Sequence, residues 1–163
     1  MYLSMEVMEK KTVILLSCLG LVSIVFLEFL FIEAELFQYF PNIGIGFHFF
    51  GGFFVALNAY YLFQVELLKL KWSLVTVFVV GMVGLAAVGW ESFEWILSQL
   101  TGSVYQGSVE NIVEDLFVGL VGGIAASIII SYRHVVVARV VEIGMEMNES
   151  PVTSCQIKKV LST

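Results

Sequence analysis

The chain has 163 residues, of which 59% are hydrophobic and 13% are charged, and its formal net charge is −6. A soluble globular domain carries about 25% charged residues, so this composition excludes that class and indicates an integral membrane protein. The eight Lys and Arg residues form no basic patch large enough for nucleic acid, so we expect the lipid bilayer, and no nucleic acid, among the partners.

Four apolar stretches are long enough to cross a bilayer as a helix, which takes about 20 residues. They cover about residues 12–32, 46–65, 73–97 and 111–132. The sequence therefore predicts an all-α integral membrane four-helix bundle over residues 12–132, after an N-terminal head over residues 1–11. A polar tail follows over residues 133–163. We expect the tail to form a short amphipathic helix on the membrane surface before Pro151 and to be disordered beyond it.

The basic residues all fall on one side of the predicted bundle. They are Lys10, Lys11, Lys69, Lys71, Arg133, Arg139, Lys158 and Lys159. Cytoplasmic connections carry the excess of Lys and Arg in membrane proteins. We therefore predict that the chain lies in the cell (plasma) membrane with both termini and residues 66–72 in the cytoplasm. The 33–45 and 98–110 connections then face outward.

The outer half of the bundle has the opposite charge and contains no Lys or Arg. Its acids are Glu28, Glu33, Glu35, Glu91, Glu94, Glu110, Glu114 and Asp115. At a rise of about 1.5 Å per residue, each predicted helix brings a polar group to a similar depth, which for the second helix is His48. A charged side chain inside a bilayer costs a few kcal/mol. Compensation must therefore come from protons, from His48 or from a bound cation.

Small residues indicate where these polar side chains point, because membrane helices approach each other closely where Gly, Ala and Ser form stripes. Three helices show such stripes: His48, Gly52 and Ala56; Gly84, Ala87, Glu91, Glu94 and Ser98; and Asp115, Gly119, Gly123, Ser127 and Ser131. The ionisable groups on these stripes are predicted to point into the bundle. Glu28 is in phase with Ser17 and Gly20, although large residues intervene in that helix.

We therefore predict an outward-facing site that binds a divalent cation. The expected ligands are His48, Glu91, Glu94 and Asp115, with Glu28 or Glu114 as additional ligands. Ligation by histidine together with carboxylates suits Zn, Fe or Mn better than Ca or Mg. A metal in this position would activate water against an envelope or lipid-linked substrate in the outer leaflet.

Some of these residues also have a structural interpretation. A lone His on an apolar face often packs against a backbone carbonyl, which is the alternative for His48. Glu110 follows Ser108, an expected N-cap, and the first turn of a helix favours an acid. Glu33 and Glu35 are expected at the water interface, where they would solvate the connection that follows them.

Two other functions remain open from the sequence. A proton- or cation-translocating transporter or channel component would need a polar path to the cytoplasm, whereas the inner halves of the spans contain few polar residues: Asn58, Gln64, Thr76 and Ser127. A non-catalytic membrane scaffold subunit would use its small-residue stripes to dock other helices. A homo-oligomer or a partner membrane subunit that completes the site also remains open.

Three motifs occur in a characteristic order: HFFGGFFVA at 48–56, WESFEW at 90–95 and NIVEDLFVGLVGG at 111–123. This order resembles the YjdF-like family of small polytopic membrane proteins and, more loosely, the VanZ-like proteins. The resemblance implies a helical bundle whose signature positions are His48, Glu91, Glu94 and Asp115. VanZ-like proteins are associated with resistance to teicoplanin-type antibiotics, which implies a role at the outer face.

The chain departs from that pattern at two positions. Gly44 and Asn111 stand where members of these families often have an Asp four residues before the His and before the last Asp. The resemblance therefore implies a site with fewer acids here, unless Glu110 or Glu114 compensates.

Overall fold

A computed structural model describes residues 2–40, 42–103, 105 and 107–149. Its helices are α1 (Tyr2–Glu33), a 3-10 turn (Leu36–Gln38), α2 (Ile43–Leu62), α3 (Gln64–Leu67), α4 (Trp72–Thr101) and α5 (Val109–Glu149). No strand occurs in these described ranges. The all-α class predicted from the sequence is therefore confirmed.

Four of these helices are long and apolar enough to cross a membrane. The qualifying segments are Lys10–Glu33, Ile43–Leu62, Trp72–Thr101 and Val109–Val136. Each matches a stretch predicted from the sequence to within a few residues at either end. The chain is thus a multi-pass membrane protein, and its exposed apolar side chains are the surface that contacts lipid.

The ends of α4 and α5 are formed by local signals. Gly102 adopts a left-handed conformation (φ 73°) and its N–H donates to the Ser98 carbonyl, which ends α4. The Ser108 Oγ accepts a hydrogen bond from the Asn111 N–H at 3.3 Å. Ser108 is therefore the N-cap of α5, as predicted, and Glu110 lies in the first turn of that helix.

Helix α5 is longer than the predicted span and continues without a break through the first part of the predicted tail, to Glu149. The separate surface helix expected from about Arg133 is therefore the continuation of α5. No proline interrupts the chain between Arg133 and Glu149, so nothing in the sequence forces the helix to end at the membrane exit. Residues 150–163, with the disorder expected beyond Pro151, lie outside the described residues.

Helices α2 and α5 form the most extensive helix pair, with α1 packed mainly against α2 and α4 packed against both α5 and α2. A Cβ on Gly52 of α2 would overlap the carbonyl oxygen of Gly119, and a Cβ on Gly122 of α5 would overlap that of Phe49. The two backbones therefore meet without intervening side chains, as small residues allow in membrane helices. The stripes predicted for the second and fourth spans face each other at this contact.

The apolar core lies beyond this contact, toward the end of the bundle where α2 ends and α4 begins. It is built from side chains that are at most 1% exposed: Ala56, Tyr60, Val75, Val79, Val83, Ala126 and Ile130. Branched residues of α4 thus fill the space against α2 and α5 in close packing.

The contact between α2 and α5 predicts that alanine has opposite effects on stability at two adjacent glycines. Alanine in place of glycine normally stabilises a helix by about 1 kcal/mol. We expect that gain for Gly51→Ala, because a Cβ there meets nothing within 4 Å. Gly52→Ala should instead lower the unfolding temperature, since the new Cβ collides with the Gly119 backbone and overpacking costs about 1–3 kcal/mol.

Thermal unfolding of the two variants in the same detergent checks this pair. Equal effects of Gly51→Ala and Gly52→Ala would show that the α2 and α5 backbones are not in contact at this position.

Candidate functional site

All four membrane-spanning helices contribute a polar side chain to one cluster near the end of the bundle where α1 and α4 terminate. Glu28 of α1, Glu91 and Glu94 of α4 and Asp115 of α5 are each between 7% and 9% exposed. His48 of α2 completes the group, and its side chain is 14% exposed. The carboxylates thus point into the bundle, as the small-residue stripes predicted.

The imidazole of His48 lies at the centre of the cluster. Its Nε2 atom is 3.5 Å from Oδ1 of Asp115. The same Nε2 is 3.9 Å from Oε1 of Glu28. One potential ligand atom from each of His48, Glu91 and Asp115 lies within 4.8 Å of the other two. Side chains from α2, α4 and α5 therefore converge on one point.

Glu94 belongs to the same cluster but faces Glu28 rather than the imidazole. Its carboxyl interacts with those of Glu28 and Glu91, and the Trp90 indole lies beside both Glu94 and Glu28. Glu114 is different, because it is exposed at the rim although it is adjacent to Asp115 in sequence. A helix turns by about 100° per residue, which directs these neighbouring side chains apart.

A cavity of about 590 Å³ opens above the cluster, between the connections that follow α1 and α4. We call it the acidic cavity. Its ionisable lining residues are Glu28, Glu35, His48, Glu94, Glu114 and Asp115. Its lining includes no Lys or Arg in the described part of the chain. The cavity therefore attracts cations and repels anions.

Aromatic and polar groups hold the walls of the acidic cavity in place. The N–H of Tyr105, which follows α4, donates to the Ser98 Oγ at 3.0 Å. The Tyr105 ring packs edge-on against Phe29, with centroids 6.2 Å apart. On the other side Phe37 of the 3-10 turn packs edge-on against Phe31 of α1, with centroids 5.6 Å apart. Both connections are thus anchored to helices near the cluster.

The donor set suits a small divalent cation. Bonds of about 2.1 Å in a tetrahedral site place ligand atoms about 3.4 Å apart. The separation of 3.5 Å between His48 Nε2 and Asp115 Oδ1 is close to that value. One carboxylate oxygen of Glu91 lies within 4.8 Å of a ligand atom of each of these two residues. One neutral nitrogen donor with several carboxylates is a typical ligand combination for Zn, Fe or Mn.

A second polar cluster, which the sequence interpretation missed, lies at the opposite end of the bundle. His134 of α5 is 4% exposed. Its Nδ1 is 3.2 Å from the Tyr60 hydroxyl. The Trp72 ring lies 5.5 Å from the imidazole. Residue spacing could have predicted the burial of His134. It follows Ser127, on the predicted small-residue stripe, by seven residues and therefore shares its helix face.

Polar groups between the two clusters are satisfied locally. Asn58 donates to the Phe54 carbonyl and accepts a hydrogen bond from the Cys18 thiol. Ser127 donates to the Gly123 carbonyl. The remaining space is filled by the fully buried valines of α4. Among the described residues, the two clusters are therefore separated by an apolar layer.

A family model of predicted membrane proteins, DUF2238, matches residues 8–135. The chain belongs to this family. No curated protein and no solved structure gives a significant match. The matched segment contains all the membrane-spanning helices except the last residue of the fourth span, and every predicted ligand. Membership in this family supports the membrane assignment and attaches no activity to the cluster.

The crowding of acids predicts a stabilising substitution. Glu94 lies beside Glu28 and Glu91, and the described lining of the acidic cavity includes no Lys or Arg, so Glu94→Gln should remove repulsion between like charges. In the presence of a chelator we expect thermal stability to increase by about 1 kcal/mol. Glu33→Gln, an exposed acid at the end of α1 that does not line the acidic cavity, is the matched control and should change stability little. A loss of stability in Glu94→Gln would show that this carboxylate makes a net favourable contact.

Proposed function

We propose that this chain is a plasma-membrane protein that binds a divalent cation at the outward-facing end of its bundle. The observation that supports this proposal is the convergence of His48, Glu91 and Asp115, whose ligand atoms lie within 4.8 Å of one another. Three separate helices supply these atoms. Burying these carboxylates together with no Lys or Arg in the described lining of the acidic cavity is costly, and a bound cation offsets that cost.

The other predicted ligands have different roles in this proposal. Glu28 is a fourth ligand, because its Oε1 is 3.9 Å from the imidazole Nε2. Glu94 lies beside Glu28 and orients it or replaces it. Glu114 is exposed at the rim of the acidic cavity, where it attracts the cation before it reaches the buried ligands. We propose Zn, Fe or Mn as the metal, because histidine is a ligand.

The proposed orientation places both termini in the cytoplasm. It is supported by the distribution of Lys and Arg along the sequence. None of these residues belongs to the segments that form the acidic cavity, and cytoplasmic segments carry the excess of Lys and Arg in membrane proteins. The looser resemblance to VanZ-like proteins, which implies a role at the outer face, is consistent with this orientation. A cation in the acidic cavity would polarise a bound water or a substrate oxygen. The substrate class that we propose is an envelope or lipid-linked molecule.

The apolar packing between the two polar clusters disfavours the transporter alternative. Proton or cation translocation requires polar groups across the whole membrane. Here the fully buried Val75, Val79 and Ile130 lie between the outer cluster and His134. The alternative would therefore require these apolar side chains to move apart.

The scaffold alternative depends on small-residue stripes that are free to dock other helices. Gly52, Gly119, Gly122 and Gly123 are instead occupied by contacts within the chain. A homo-oligomer or a partner subunit would therefore have to use other surfaces of the bundle.

Metal content tests the proposal directly. After reconstitution with Zn, Fe or Mn, we expect one metal ion per chain in the wild type and a loss of at least about tenfold in affinity in His48→Ala and Glu91→Gln, as for removal of a ligand or its supporting group. The matched control is Glu33→Gln, an exposed acid at the end of α1 that should retain the metal. Elemental analysis of the protein in detergent gives the readout.

Substoichiometric metal in the wild type after all three reconstitutions would refute the divalent-cation proposal. Unchanged affinity in both His48→Ala and Glu91→Gln would place the metal elsewhere in the chain.

Thiol labelling tests the orientation separately. In a background of Cys18→Ser and Cys155→Ser, Ser103→Cys should react with a membrane-impermeant reagent in intact cells, because it follows α4 at the proposed outer end. Leu70→Cys, between α3 and α4, should react only after the membrane is permeabilised. The reverse pattern would invert the proposed topology.

A further inference from the structure

A second cavity lies beside the cluster, toward the membrane interior. It has a volume of about 190 Å³. We call it the apolar crevice. Its lining includes Ile24 and Val25 of α1, Gly51 and Val55 of α2, and Ala87 and Trp90 of α4. Apart from Glu28 and His48, every residue that lines it is apolar.

The apolar crevice exists because α1 and α4 are held apart. Helix α1 packs mainly against α2, and α4 packs against α5 and α2. The crevice lies between α1 and α4, with the glycines of α2 as its floor. In a bilayer, the side opposite α2 faces lipid chains, because α2 lies against the other three membrane-spanning helices.

The two cavities meet at the cluster. Glu28 and His48 line both the apolar crevice and the acidic cavity. The Trp90 indole, which forms part of the crevice wall, also lies beside the Glu28 carboxyl. A molecule with an apolar chain and a polar head could therefore occupy both spaces at once, with the junction at Glu28.

The depth of the apolar crevice matches one leaflet of a bilayer. Counted from Glu33 at the end of α1, Glu28 lies about 8 Å down the helix axis and Leu21 about 18 Å down, at about 1.5 Å per residue. One leaflet contributes about 15 Å of hydrocarbon. The crevice, which begins at Glu28 and extends to Leu21, is thus at the depth of an alkyl chain in the leaflet nearer the acidic cavity.

The charge of the acidic cavity determines which head group an amphiphilic ligand can have. Five carboxylate residues line it, Glu28, Glu35, Glu94, Glu114 and Asp115, and its described lining includes no Lys or Arg. A divalent cation at the cluster would neutralise only part of that charge. A head with an ammonium group is therefore favoured over a head that is only anionic.

We propose that the acidic cavity and the apolar crevice together bind one lipid-like amphiphile, with its alkyl chain along Trp90 and its ammonium-bearing head beside Glu28. This inference rests on the proposed function, since it assigns the substrate class of the same outward-facing site. It explains why an opening toward lipid lies directly next to buried carboxylates. It also defines which part of the ligand each cavity recognises.

Quenching of Trp90 fluorescence tests the proposal. The protein with Trp72→Phe and Trp95→Phe retains Trp90 as its sole tryptophan. It is placed in phosphatidylglycerol nanodiscs, whose host lipid has no ammonium group, with increasing fractions of a lipid that has brominated chains and either an ethanolamine or a glycerol head. We expect the ethanolamine lipid to reach half-maximal quenching at a roughly tenfold lower fraction, as for one hydrogen bond to a charged group.

Three substitutions in the protein that retains only Trp90 test where the preferred lipid binds. Gly51→Leu should abolish the preference, because Gly51 lines the crevice, a Cβ there meets nothing within 4 Å, and the larger side chain would take up space in the crevice. Gly81→Leu on α4 is the matched control and should retain the preference, since its site is equally open but does not line the crevice. Glu28→Gln should reduce the preference for the ammonium head while the chain still quenches Trp90.

Metal analysis of the same samples separates this inference from the proposed function. Equal quenching by the two lipids in protein that contains metal would overturn the amphiphile inference and leave the cation proposal intact. A preference for ethanolamine that survives Gly51→Leu would also overturn the inference, because the chain would then lie outside the crevice. A preference that Gly51→Leu abolishes, in protein that binds no metal, would support the amphiphile site and overturn the cation proposal.

Discussion

The direct backbone contact between α2 and α5 determines the geometry of the outer half of this protein. Gly52 meets Gly119 with no side chain between them. Each glycine lies one helical turn below an ionisable residue, Gly52 below His48 and Gly119 below Asp115. Close approach of the two backbones therefore brings the imidazole to 3.5 Å from the Asp115 carboxylate. Larger residues at the glycine positions would separate these groups.

Other acidic side chains surround His48 and Asp115, at a depth where a charged side chain is energetically unfavourable in a bilayer. Glu28, Glu91 and Glu94 approach from α1 and α4, and His48 is the basic side chain at the cluster within the described residues. Buried charges are ordinarily paired or coordinate metals. The cation that we propose at this cluster would offset that cost, whereas valine and isoleucine fill the other half of the same bundle without it.

The site also combines two environments that are usually separate. The acidic cavity is lined by several carboxylates and the apolar crevice mostly by apolar side chains, yet Glu28 and His48 line both. This junction arises from the loose association of α1 with α4, while α2 and α5 remain tightly packed.

Much of this organisation was predictable from local patterns. The apolar stretches predicted the membrane-spanning helices, because a helix must satisfy its backbone hydrogen bonds within the bilayer and therefore needs a long apolar run. The glycine and serine stripes predicted the buried faces of α2, α4 and α5, and with them the burial of Glu91, Glu94 and Asp115. Ser108 predicted the start of α5 through its N-cap.

What the sequence by itself determined was therefore the number, extent and buried faces of the helices, since these follow from the composition and spacing of neighbouring residues. Only the tertiary structure decided that Glu28 reaches His48 whereas Glu114 remains on the rim, and that His134 pairs with Tyr60. It alone revealed the crevice between α1 and α4. The physical reason is that these features depend on the distance and rotation between helices, which are set by packing among residues far apart in the chain.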